Sequence, residues 1–486
     1  MALKPSFSET AFYGLNTHYP LADGRISRRI YLDSSASTLM MKPALEAAQA
    51  YLEHYSNTHS TVHTSAHITD YTLRWAQQQI LNFVGASTTD YICISQGSGT
   101  TGVANRLAAG LATLRPERGV VLVSGMEHHS NDLPHRLHAQ QVEHIPLCGA
   151  GANSGAVDLQ ALAALLEKYR QQVNYVAVTG VSNVTGIANP LAEIACLAHA
   201  HGAYLVVDAA QMAAHAPLKV SEWDVDFVML SGHKIYAPGS PGILVARAEL
   251  LQHMLPREVG GGVVDKVSVH HYDLVDDLVD REHAGTPNIF GTVLLGCVTH
   301  ILMQYGMEKI RDNEYELHRW ACQLLRERCP SIRIYGDSAN CERLGSLSFN
   351  LRGIEHGLVA AVLNDFFGIA VRNQCFCAHP YVHTMLLDDL IDTDFGDMTP
   401  QQLEYYASAH RGMVRASFGL YTQREDVEAL ADALCQIANN IAEYSDKYRL
   451  DDDGGFVLRQ PRAKPNELFD IEKILHESTR RFLLTV

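Results

Sequence analysis

The stretch from Tyr204 to Lys234 opens with Tyr204-Leu-Val-Val-Asp208-Ala-Ala-Gln211 and closes with Phe227-Val-Met-Leu-Ser231-Gly-His-Lys234. Each end is a short, β-rich apolar run that stops at a polar residue, the pattern of a strand buried on both faces. Tyr91-Ile-Cys-Ile-Ser95, Val120-Val-Leu-Val-Ser124 and Tyr175-Val-Ala-Val-Thr179 repeat the pattern upstream. Helical periodicities lie between these runs, among them Asp158-Leu-Gln-Ala-Leu162 and Pro190-Leu-Ala-Glu-Ile194. The second begins on proline and stops at Gly202, the residues expected at a helix start and stop. Strand–helix alternation predicts an α/β fold with a mostly parallel sheet covered on both faces. Ligands of such sheets collect beyond the carboxyl ends of the strands, so Asp208 and Lys234 fall where chemistry is expected.

Working outward, the pattern becomes mixed after about residue 300. Helices are predicted near 292–305, near 314–328 and from about 424, with shorter strand-like runs at Ser346-Leu-Ser-Phe-Asn350 and Met413-Val-Arg-Ala-Ser417. This predicts a smaller α+β domain. The expected organisation is an N-terminal segment (1–30) packing on the small domain, a large domain (31–300), a small domain (301–445) and a C-terminal extension (446–486). The chain has 486 residues, 47% of them apolar, and a formal charge of −16. That apolar fraction excludes disorder over most of its length, and the acidic excess argues against a nucleic-acid partner. Every apolar run breaks before about 18 residues, so no membrane span is expected. Met1-Ala-Leu-Lys-Pro5 lacks the pattern of a secretory leader, and ten cysteines form no paired framework. Both point to a reduced, cytoplasmic protein.

The chemistry-bearing groups sit at the strand ends. Gln96-Gly-Ser-Gly-Thr-Thr-Gly102 opens a helix and offers backbone N–H groups to an anion. It matches neither of the two glycine-rich nucleotide loops. Asp208 ends one strand and Lys234 follows another. Singly these are weak signals; together they meet the needs of a pyridoxal phosphate enzyme. Such an enzyme requires a lysine that attaches the cofactor, an acid that keeps its ring nitrogen protonated, an anion cradle and a stacking ring.

Further motifs follow in order: Glu127-His-His-Ser-Asn131, Val181-Ser-Asn-Val-Thr-Gly186, Gly260-Gly-Gly262, Ala284-Gly-Thr-Pro-Asn288, Val371-Arg372 and Cys377-Ala378. With them the sequence resembles the class V aminotransferases, and within these the cysteine desulfurase and selenocysteine lyase branch, group II-like. The resemblance runs from about Tyr31 to Tyr421. It implies the fold type I architecture, a seven-stranded-type sheet in the large domain beside a smaller α+β domain. It also implies roles. Lys234 would hold pyridoxal 5'-phosphate covalently, Asp208 would pair with the ring nitrogen, His128 would stack on the ring, and Gln211 would bond the phenolic oxygen. Thr100, Thr101, Ser231 and His233 would hold the phosphate. Thr286 would reach the phosphate of a neighbouring subunit, which implies a homodimer. Arg415, aided by Asn183, would grip the substrate carboxylate, and Arg372 would contact substrate.

The cofactor does not select the reaction; the run Arg372-Asn-Gln-Cys-Phe-Cys377-Ala-His-Pro380 does. In the group II desulfurases the nucleophilic cysteine stands five residues after an arginine, the place of Cys377. The resemblance therefore implies removal of sulfur from L-cysteine through a Cys377 persulfide, giving L-alanine, with a protein sulfur acceptor as a further partner. The alternatives are another class V enzyme acting on a small amino acid without the persulfide (a C–S lyase, selenocysteine lyase, epimerase or aminotransferase) and a cofactor-binding regulatory protein. Four departures from the family stand out: Asn-Gln-Cys-Phe replaces a histidine-rich lead-in, Gly102 and His283 stand where glutamates are usual, and 381–410 is long and acidic. Asp388–Asp397 reads as a solvated lid or an acceptor-docking loop. His59, His63 and His67 recur at helical spacing, but Ser60-Thr-Val62 and Thr64-Ser65 are poor helix formers and no carboxylate or cysteine completes a set. No metal is expected.

Overall fold

A computed structural model describes residues 9–336, 341–391, 399, 412–460 and 463–483. The start of the N-terminal segment and most of the acidic stretch, including 392–397, lie outside the described residues. A seven-stranded sheet forms the centre: β1 (Tyr91–Gln96), β2 (Val120–Ser124), β3 (Gln141–Ile145), β4 (Val173–Thr179), β5 (Tyr204–Asp208), β6 (Phe227–Ser231) and β7 (Gly242–Arg247). Their spatial order is β1-β7-β6-β5-β4-β2-β3. Six strands run parallel, and β7 lies antiparallel between β1 and β6. Alternate side chains serve opposite faces: Leu205, Val207 and Val228 enter one core, Val206, Phe227 and Met229 the other. Each fully buried side chain of this kind stabilises the fold by roughly 1.5–3 kcal/mol.

Five helices bear on the site and on the joint between the two parts of the molecule: α1 (Thr64–Phe83), α2 (Gly99–Leu114), α3 (Ile289–Tyr305), α4 (Met307–Arg328) and α5 (His379–Ile391). A four-stranded sheet forms the second layer system, from β8 (Ile332–Ile334), β9 (Ser346–Leu351), β10 (Arg372–Gln374) and β11 (Met413–Ser417) in the order β8-β9-β11-β10. The boundary expected at residue 300 falls inside α3. Helix α4 then belongs to both cores: Met307 and Ile310 lie in the large one, Leu317, Ala321 and Leu325 in the small one.

The N-terminal segment packs on both parts. Phe12 and Leu15 enter the large core, and the Phe12 ring sits 5.4 Å from that of Tyr236. Ile30–Tyr31 pairs in parallel with Ile369–Ala370, and Arg28 bonds Asp426 at 2.9 Å, both on the small-domain side. The C-terminal extension carries a hairpin, Tyr448–Leu450 with Phe456–Leu458, and then exposed helices over Pro465–Leu468 and Ile471–Leu483. Among the described residues no single helix is long and apolar enough to cross a membrane.

The histidine spacing resolves differently from a shared helical face. Helix α1 starts only at Thr64, because the His63 ring accepts the Ala66 N–H at 3.2 Å and caps it. His67 is therefore on the helix, whereas His59 lies before it, near the Gly285 carbonyl at 3.2 Å. Among the described residues no group of three or more potential metal ligands comes together.

Candidate active site

A cavity opens where β1, β5 and β6 end. Because β7 alone is reversed, its first residue lies at the same edge: Gly242 pairs with both Gln96 and Ser231. A side chain there would strike the Gly99 backbone, its Cβ coming 2.3 Å from the carbonyl oxygen. Gly99 itself has φ +58°, in the left-handed region that favours glycine, and its absent Cβ leaves room for Ser231 Oγ. Two glycines thus let the loop after β1 close over the ends of β6 and β7, and α2 points its first turn into the cavity.

That first turn suits an anion. Ser98, at the N-cap, makes no side-chain capping bond, so the N–H groups remain free of it. The Thr100 hydroxyl is buried in the cavity wall with no hydrogen-bond partner. Ser231 and His233 line the same wall, as does Thr101, whose hydroxyl bonds that of Ser130 at 2.6 Å. Burial and Lys234 hold His233 below the usual histidine range.

Lys234 and Asp208 face this cavity from adjacent strand ends. Burial drives the lysine down to about 8, opposed by the negative charge of Asp208. Burial pushes the Asp208 carboxyl upward, opposed by Lys234 and by the Ala210 N–H it accepts at 2.9 Å. Beneath them the buried Glu127 carboxyl accepts the Thr179 N–H at 2.7 Å, the Asn131 amide at 2.7 Å and the Ser124 hydroxyl. Burial still raises it, to about 8. His128 stands on the following turn with Nδ1 accepting the Ser130 N–H at 3.0 Å. Burial first, then Lys234, drop it to about 3, so the ring is neutral.

The opposite wall comes from the small domain. Arg415 on β11 is almost fully buried; its Nη1 donates to the Asn183 carbonyl at 2.8 Å and its Nη2 to Asp33 at 3.3 Å. Burial lowers it to about 10, with Asp33 opposing. The guanidinium lies 4.7 Å from the Phe376 ring centre, and Arg372 is directly across the sheet from it. Cys377 does not line the cavity. It is half-buried on the loop after β10, within electrostatic reach of Lys234 and Arg415. Gln374, Phe376 and Cys377 all have positive φ (92°, 51° and 55°), a conformation that costs roughly 1–2 kcal/mol per non-glycine residue. Surrounding bonds hold it: Asn183 Nδ2 donates to Phe376 O at 2.8 Å, and the His129 N–H donates to Cys377 O at 2.7 Å. Cys375 is buried among Met126, Val184, Tyr381 and Met385, the environment of a packing residue.

Most of the sequence-predicted residues meet here: Thr100, Thr101, His128, Asn183, Asp208, Ser231, His233, Lys234, Arg372 and Arg415 all line the cavity. Gln211 lies just outside, its amide donating to the Ser35 carbonyl at 2.8 Å. Thr286 is exposed elsewhere and accepts from Asn57 at 2.9 Å. Sequence reasoning assigned no role to Ser35, Asp33 or Phe376. Ser35 and Asp33 lie in Tyr31-Leu-Asp-Ser-Ser35, where the family resemblance begins, which was the available signal; Phe376 is marked only by its place beside Cys377.

Comparison with known proteins agrees with this geometry. The aminotransferase class-V family matches residues 30–430. A cysteine desulfurase of Salmonella typhimurium is 33% identical over 414 residues, covering 84% of this chain and 93% of the relative. An apo cysteine desulfurase structure from Thermococcus onnurineus superposes with a TM-score of 0.74 at 28% identity, covering 90% of this chain and all of that one. A cysteine desulfurase of Escherichia coli in an S-sulfonic acid form gives 0.68 at 27% identity, over 85% and 95% of the two chains.

Proposed function

The chain belongs to the cysteine desulfurase branch of the aminotransferase class-V family, and from that premise we propose that it removes sulfur from L-cysteine, forming L-alanine and a persulfide on Cys377. The reading rests on one observation: a lysine, an acid, a neutral imidazole, an anion cradle and a buried arginine converge on one cavity, with a cysteine loop closing its side. The donor set fits pyridoxal 5'-phosphate. The unpartnered Thr100 hydroxyl and the uncapped start of α2 suit its phosphate, Asp208 its ring nitrogen, His128 its ring face and Lys234 its covalent attachment. When bound, the cofactor supplies a conjugated ring that accepts electrons from the substrate α-carbon.

The protein's own groups do the rest. Arg415 holds the substrate carboxylate with a planar fork already fixed by Asn183 and Asp33. Lys234, partly neutral at physiological pH, takes the α-proton and returns a proton to the same carbon after Cβ has been protonated. The Cys377 thiolate attacks the substrate sulfur. An S–S bond forms as the Cβ–S bond breaks, the electron pair of that bond passes to Cβ, and Cβ takes a proton to become the methyl group of alanine. Cys377 keeps the sulfur as a persulfide, ready for the thiol of an acceptor protein. A homodimer in which Thr286 serves the neighbouring subunit's phosphate fits its exposed position. A reducing compartment such as the cytoplasm fits ten free cysteines.

The test is to supply holoenzyme with L-cysteine and measure alanine and sulfide, with mass spectrometry of the Cys377 peptide. Alanine with a +32 Da Cys377 peptide is expected, and Cys377→Ala should cut turnover by about 100-fold or more while the cofactor absorbance stays. Full turnover in Cys377→Ala would overturn the persulfide route.

A further inference from the structure

The Cys377 loop has a second tie to the cofactor wall. His379, two residues beyond Cys377, stacks on His129: the ring centres are 4.8 Å apart and the planes 9° from parallel. His379 Nδ1 lies 3.1 Å from His129 Nε2, and the His379 backbone N–H points to the same nitrogen at 3.4 Å. His129 returns the contact through its own N–H, which donates to the Cys377 carbonyl at 2.7 Å. His129 adjoins His128, so the pair joins the turn that carries the stacking ring to the loop that carries the nucleophile. The loop needs such a tie, because Phe376 and Cys377 hold left-handed backbone that non-glycine residues adopt at a cost.

The hydrogen-bond logic makes this tie dependent on protonation. His129 Nε2 receives two N–H groups, so it carries no hydrogen and His379 Nδ1 does. One proton added to the pair still leaves an N–H···N bond. A second proton turns both nitrogens into donors and sets two cations in contact. The groups facing the pair offer incomplete compensation: Asp132 and Arg136 follow His129 with opposite charges, His128 flanks one side, and His383 lies edge-on to His379 at 5.8 Å. Burial and His379 already hold His129 below the usual histidine range.

We propose that His129 and His379 form a positioning latch for Cys377, holding the nucleophile loop against the His128 turn and releasing it when both rings are protonated. This rests on the desulfurase reading above and names residues through which that reaction is positioned; neither histidine needs to touch the substrate. Asparagine at 379 is the informative replacement. Its Nδ2 can donate to a neutral His129 and its Oδ1 can accept from a protonated one, so the latch survives in both states.

The experiment measures alanine formation by holoenzyme against pH, together with the rate at which iodoacetamide labels Cys377, read by peptide mass spectrometry. His379→Ala is expected to lower kcat about tenfold or more at neutral pH with KM and cofactor absorbance little changed, since small misplacements of a reacting group are costly. His379→Asn should restore kcat and lose the fall in activity in acid that the latch predicts for the wild type. Labelling of Cys377 should change about tenfold in His379→Ala and stay near wild type in His379→Asn. Wild-type kcat in His379→Ala, or an unchanged acid limb in His379→Asn, overturns the latch. Labelling reports on the loop without turnover, so a wild type that makes no alanine sinks the desulfurase reading and leaves the latch to be judged on labelling alone.

Discussion

At the scale of single residues, Lys234 and Asp208 set each other's titration, and the site depends on the outcome. Burial strips protons from the lysine, whose pKa falls to about 8, while the Asp208 charge resists that loss. Only the neutral amine can attack a carbonyl, so cofactor uptake by apo-protein should rise with pH and level off above about 8. Asp208→Asn removes the resisting charge and should move the midpoint lower, even as it removes the partner proposed for the ring nitrogen. Absorbance-monitored uptake across pH checks both; a midpoint that rises in Asp208→Asn contradicts the assignment. These two residues were legible in the sequence because one ends a buried strand and the other follows one. The partner of Arg415 was not, because Asp33 lies 382 residues away in the chain and only the closed fold brings the two to 3.3 Å.

At the scale of elements, the parallel strands were readable because burial on both faces leaves continuous β-branched runs. Two strands of the central sheet escaped. Strand β3, Gln141–Ile145, is an edge strand with polar, half-exposed residues, so its apolar run is broken. Strand β7 is apolar, but it follows β6 without an intervening long helix and runs backwards, outside the strand–helix alternation. That reversed strand carries the element-scale prediction. Gly242→Ala sets a methyl group 2.3 Å from the Gly99 carbonyl oxygen, against backbone that cannot rotate away. The start of α2 must shift, so cofactor affinity should fall about tenfold or more, a loss equivalent to one charge-assisted hydrogen bond to the phosphate. Titration of apo-protein with cofactor gives the affinity and urea unfolding the stability; unchanged affinity would mean that the cradle tolerates the shift. The histidine latch was illegible for a similar reason: His129 and His379 are 250 residues apart and meet only after α5 docks beside the short turn at His129–Asn131.

At the scale of the whole molecule, the exposed Thr286 makes a prediction about two chains. If it completes a neighbour's site, Thr286→Ala and Lys234→Ala homodimers should both be poor enzymes. A mixed dimer of the two carries one site with both substitutions and one with neither. Co-expression should therefore recover activity up to one intact site per mixed dimer, as measured on tag-separated heterodimers. No recovery would mean that each site is built from one chain. The acidic excess fits this picture of the whole: the cavity keeps Lys234, Arg372 and Arg415 for anionic groups, while much of the negative charge lies in segments such as 272–282 and 451–453.

Helix α4 has a consequence for how the molecule comes apart. One uninterrupted helix supplies apolar side chains to both cores, so neither lobe can be excised without tearing a hydrophobic face from the other. Loss of either core withdraws support from its neighbour, so the unfolding of the two lobes should be coupled through this helix, and a substitution that loosens one core should lower the stability of both.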